Sequence, residues 1–154
     1  MQTNNLNVNY GGQFYAGFSF AELPLAAALM VAAGQVDQAA DGARLSVVGD
    51  PLRVLEHQRA ATEAKAYAAA GYSGDMPPYV KAWADAAGLE PQEATDSIIS
   101  EADAWEGALL AIRIIRLKGK QDVLKAASHA AAESIADAAI QAVSACIVGV
   151  GNAA

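Results

Sequence analysis

Cysteine is almost missing from this chain: Cys146 is the one such residue in 154. A single thiol closes no internal disulfide, so no covalent staple supports the fold. Its setting, QAVSACIVGV, is apolar, and Cys146 reads as a buried inert thiol. Histidine is scarce as well. His57 and His129 fall on different expected helices, and with Cys146 they are too few and too scattered for a zinc site. Glu133 follows His129 by four residues, which suits a helix-surface pair.

Positive charge is in the minority, with 10 Lys plus Arg against 17 Asp plus Glu, for a formal charge of −7. Such a chain repels phosphate backbones, so nucleic acid is not an expected partner. Long hydrophobic runs are lacking. LPLAAALMVAAG at 23–34 is 12 residues, short of the roughly 20 that span a bilayer. IADAAIQAVSACIVGVG at 135–151 carries Asp137 and Gln141. Both segments read as buried helix, and no membrane insertion is expected. The opening MQTNNLNVNYGG has no basic stretch leading into an apolar core, so it does not read as a signal peptide.

Signatures of chemistry are thin. No GxSxG elbow occurs. GYSG at 71–74 lacks the preceding strand and the lysine of a phosphate loop, and GVGNAA at the end lacks a following helix. Asp50 and Asp75 read as helix caps, Asp85 and Asp96 as solvated helix faces. No catalytic residue, cofactor or metal is expected, and an enzyme is not the favoured reading.

What the chain does have is alanine. Hydrophobic residues make up 54% and charged residues 18%, too apolar for disorder. Only ten residues are Phe, Trp or Tyr. Alanine favours helix because it loses no side-chain entropy there. It fills little volume, however, so its helices must approach closely, and a lone copy is expected to have a thin core.

Along the chain, Leu6, Val8 and Tyr10 alternate with Asn7 and Asn9 before Gly11-Gly12 and QFYAGFSF. Period-two alternation around a double glycine predicts a hairpin, because a tight turn needs positive φ. A two-stranded ribbon is marginal in water, so a partner strand is expected from ARLSVVG (43–49) or a neighbouring subunit. A short apolar helix is predicted over 22–33, ended by Gly34. Asp50-Pro51 predicts the start of a helix reaching about Ala70, with Gly71 beyond it. Pro77-Pro78 opens a helix of about three turns that Gly88 ends, with Val80, Trp83, Ala84 and Ala87 on one face.

From Pro91 to about Lys118, Ile98, Ala102, Trp105, Leu109 and Ile112 are spaced four, three, four, three, a heptad seam. Ile99 and Leu110, with Ile114, Ile115 and Leu117, broaden the stripe toward the C-terminal half, which implies burial on more than one side. Acidic residues come early in this helix and basic ones late, and RIIRLKGK (113–120) reads as dipole compensation at a helix end. Gly119 is expected to break or kink the chain before an alanine-faced helix over 121–148.

Residues 66–120 resemble a segment of small proteins encoded among the tail genes of tailed bacteriophages and proteobacterial prophages. The likeness rests on Gly71, Tyr72, Gly74, Pro77, Pro78, Val80, Trp83 and Ala84, then Trp105, then Arg113, Arg116, Leu117 and Lys120. It implies a virion tail or tail-fibre component and carries no catalytic residues.

The expected fold is therefore mainly α, with long helices in a helical bundle or coiled-coil-like oligomer and a small N-terminal β element. Residues 1–49 form a docking segment and 50–154 a helical domain. The expected role is a structural component of a phage tail tip or fibre, made in the bacterial cytoplasm and assembled as a homo-oligomer, with a trimer favoured. Trp83, Ile98, Trp105, Leu109 and Ile112 are the expected packing anchors. Leu6, Val8, Tyr10, Phe14 and Phe18 are the expected docking residues toward other tail proteins. The alternative is a tail or tail-fibre assembly chaperone that leaves before the particle is finished.

Overall fold

The computed structural model describes residues 1–150. A hairpin of β1 (Leu6–Tyr10) and β2 (Gln13–Phe18) leads through a single 3-10 turn into helices α1 (Leu25–Val48), α2 (Pro51–Ala69), α3 (Pro78–Ala87), α4 (Pro91–Leu124) and α5 (His129–Ala145). The molecule is mainly helical, with a small antiparallel N-terminal sheet. It forms two compact units. One comprises Met1–Ser46 with Leu109–Val148, and the other is built from Val47–Ala108. The first unit thus draws on both the 1–49 and 50–154 segments drawn from the sequence.

The hairpin forms as the alternation predicts. Gly11 and Gly12 take φ of 59° and 80°, the left-handed values that a tight primed turn requires. Val8 faces Tyr15 across the ladder and Asn9 faces Phe14. Leu6 is buried, and Val8, Tyr10 and Tyr15 pack on the helical core of the first unit. No third strand joins among the described residues. The candidate at 43–49 is helical through Val48.

That result corrects two expectations at once. Helix α1 does not stop at Gly34 but runs on through Gly42. A glycine inside a helix costs about 1 kcal/mol relative to alanine. Here the flanking residues outweigh it, because Ala28, Ala32, Val36 and Ala40 are fully buried in one i, i+4 row, and Ala43 and Val47 extend it. Tertiary packing overrides both the glycines and the β-branched run.

The core of the first unit is largely alanine: Ala27, Ala28, Ala32, Ala33, Ala132, Ala136 and Ala139 join Leu6, Phe20, Leu23, Val36 and Val123. Small side chains let α1, α4 and α5 come close together, as the buried Gly119 shows. The expected break at Gly119 does not occur, and α4 continues to Leu124. Helix α5 accordingly begins at His129, capped by Ser128, whose hydroxyl accepts the Ala131 N–H at 3.2 Å. The predicted tail at 149–154 lies outside the described residues from 151 onward.

The second unit packs Ala64 of α2, Val80 and Ala84 of α3 and Ala94 of α4 into a small core lined by Met76, Trp83, Leu89, Ile98 and Ile99. Asp50 caps α2 by accepting the Leu52 N–H at 2.8 Å. Gly88 ends α3 in the left-handed conformation, with φ 67° and ψ 37°. The N-terminus of α3 is satisfied from a distance: the Glu63 carboxylate on α2 accepts the Tyr79 N–H at 3.0 Å. Asp75 does not fill that role, since the cap position is Pro77.

Candidate functional site

Among the described residues no group of three or more His, Cys, Asp or Glu side chains is placed to hold a metal ion. No helix among them is long and apolar enough to cross a membrane. The histidines have structural neighbours. His129 Nε2 lies 2.9 Å from the Leu23 carbonyl, and its ring meets Phe20 edge-on. His57 stacks on Trp105 with centroids 5.2 Å apart. An open groove on α5 is lined by Ala130, Glu133, Ser134, Asp137, Ala138 and Gln141. Its Asp137 is engaged by the Met1 ammonium.

The titratable groups with displaced pKa values are each bonded to a neighbouring side chain. Burial pushes the Asp37 carboxyl up, but hydrogen bonds from Lys120 and Arg116, and their charges, more than offset this. Asp37 therefore sits below the ordinary carboxylate range. The Arg116 bond measures 3.1 Å, and this three-way cluster ties α1 to α4. Lys65 is raised by its hydrogen bond to Asp103, 2.9 Å away on α4. Tyr72 is raised because its hydroxyl donates to Asp96 at 2.7 Å. Glu22 is lowered by the Ser19 hydroxyl and N–H, both of which donate to it.

The residues expected to anchor an oligomer range from buried to half-buried within one chain. Ile112 is fully buried, and Trp83, Ile98, Trp105 and Leu109 are half-buried. Trp83 Nε1 donates to Ser97 Oγ at 2.9 Å. Of the expected docking residues, Leu6 is buried and Val8 and Tyr10 half-buried, while Phe14 and Phe18 are exposed. Phe14 stands opposite Asn9, away from the face that Val8 and Tyr15 share, and Phe18, opposite Leu6 at a shift in register, is exposed with its ring edge-on to Tyr15.

The broad apolar stripe of α4 divides in the same way. Its inward residues include Ile112, Gly119 and Val123, all buried. Its outward residues are Leu110, Ile114, Leu117 and Leu124, with exposures of 58, 56, 44 and 45%. Burial on both sides was the expectation for this stripe, and one chain buries only one of them. Leu124 lies past Lys118, where the sequence predicts the helix to end. The signal was present, since the four-three spacing from Leu110 continues through Gln121 to Leu124. On α2, Leu52 and Leu55 are 71 and 64% exposed, three residues apart on one face.

Scattered exposed leucines are ordinary on protein surfaces, but rows of them at helical spacing mark contact sites. The candidate site is therefore a set of apolar faces: the outer row of α4, the start of α2, and the aromatics of the hairpin. Comparison with protein families, curated proteins and solved structures finds no match to the chain.

Proposed function

We propose that this chain is a structural component of a bacteriophage tail, at the tail tip or in a tail fibre, where it acts by binding proteins. It assembles as a symmetric homo-oligomer, a trimer in the simplest scheme, and joins neighbouring tail proteins. The resemblance of residues 66–120 to phage tail-encoded proteins supplies the setting. The observation that carries the reading is the exposure of large apolar side chains in ordered rows beside small, alanine-filled cores. A chain that folds around alanine yet leaves leucine and phenylalanine in water gains most of its remaining hydrophobic free energy by association, at about 25 cal/mol per Å² buried.

In this scheme Leu52 and Leu55 serve self-association, and Phe14 and Phe18 meet the adjoining tail protein. Light scattering on the purified chain tests the first part, with a trimer expected and a stable monomer at micromolar concentration opposing it. Mass spectrometry of purified virions tests the second. Stoichiometric peptides from this chain are expected. Their absence from finished particles, with the chain present in infected cells, would replace this role with that of an assembly chaperone.

A further inference from the structure

The outer face of α4 has an electrostatic character opposite to that of the chain. Leu110, Ile114, Leu117 and Leu124 fall at alternating d and a positions of a heptad, with Gln121 at the remaining a position. The row runs from Leu110 to Leu124, about 21 Å along the helix at 1.5 Å rise per residue. In the same register Ala111 and Lys118 take the e positions of α4 and Arg113 and Lys120 the g positions, and Lys125 follows in the turn just after the helix. Three of the four helix positions are basic, and so is Lys125, in a chain whose net charge is −7. Lys118 pairs with Asp122 on its own helix, and Lys120 with Asp37 on α1. Arg113 and Lys125 make no ion pair among the described residues.

We propose that this face receives an amphipathic helix of a different protein, one whose apolar seam is bordered by glutamate or aspartate. Flanking charges decide which helices pair at such a seam. A second copy of the same face fails this test. Pairing in parallel sets Arg113 against Lys118, and antiparallel pairing with Ile114 opposite Leu117 sets Arg113 against Lys120. Every arrangement brings base to base. An acidic-edged helix places carboxylates opposite Arg113, Lys118 and Lys120 and covers the apolar row in the same step. Gln121 holds the register, because a polar a-position residue favours one alignment at some loss of affinity. This assignment does not depend on which particle, if any, contains the chain.

The test uses the full-length protein and two labelled synthetic peptides of about four heptads, both with leucine at a and d. One carries glutamate at e and g, the other lysine. Fluorescence anisotropy is expected to show the glutamate peptide binding at least about tenfold more tightly, with affinity falling as salt rises. The exposed substitutions Ile114→Glu and Leu117→Glu, made together, are expected to abolish binding without altering the circular dichroism melt. Arg113→Glu, Lys118→Glu and Lys125→Glu, made together, are expected to transfer preference to the lysine peptide. Equal binding of both peptides, binding of neither, or an unchanged preference in the charge-reversed variant would overturn the proposal. So would self-association that Ile114→Glu and Leu117→Glu disperse. Capture only by phosphatidylserine-containing vesicles, with no peptide bound, would likewise replace a protein partner with a lipid surface.

Discussion

Gly119 lies so close to Ala139 that a Cβ on the glycine would fall 2.7 Å from the alanine Cβ, with Val36 Cγ1 at 3.5 Å. Two backbones meet here with one methyl group between them. Gly119→Ala is expected to destabilise the fold by about 1–3 kcal/mol through overpacking, despite the gain of about 1 kcal/mol in helix propensity. Ala139→Gly introduced with it is expected to restore part of the loss. Denaturant unfolding of the two single variants and the double variant measures this coupling.

Asp37 gives the first unit a dependence on acid. Its folded pKa is lowered by Lys120 and Arg116, so its contribution is complete above the unfolded value of about 3.9. That contribution is lost as pH falls through the lowered folded value. Asp37→Asn is expected to cost about 2 kcal/mol at neutral pH, since two charge-assisted hydrogen bonds weaken. Its stability is then expected to fall less steeply than that of the unaltered protein below about pH 4. Chemical denaturation across an acid series reads both effects.

Ser97 holds Trp83 by accepting its indole N–H. Ser97→Ala is expected to cost about 1 kcal/mol by leaving that donor without its partner. The emission of Trp83, isolated by Trp105→Phe in both proteins, is expected to shift as its surroundings change.

Leu52 and Leu55 are exposed, so replacing both with glutamate is expected to change monomer stability by no more than about 0.5 kcal/mol per site. Light scattering is expected to show the proposed oligomer dissociating. Retention of the full oligomer would move the self-association surface off α2.

The local devices were legible in the sequence because each depends on neighbours in the chain. The Gly11-Gly12 turn, the Asp50 cap and the Gly88 stop are all of this kind. The ends of α1 and α4 were not. Gly34, Gly42 and Gly119 all resemble stops, yet long-range burial of alanine and valine carries the helices through them. Glu63 reaching Tyr79, and Asp37 reaching both Arg116 and Lys120, link residues far apart in sequence. Heptad spacing located the apolar seams of α4, but not which seam the chain keeps for itself. That depends on where α1 and α5 lie, and periodicity along one helix carries no record of its neighbours.

Because the C-terminal part of α4 shows hydrophobic side chains toward both interior and water, a glutamate scan along it would trace two interleaved rhythms. Substitutions at Ile112 and Val123 would register as lost melting temperature with no partner present. Those at Ile114 and Leu117 would leave the melt alone and register only when a partner is added. One stretch of helix thus encodes folding on one side and recognition on the other, and either can be altered while the other is kept.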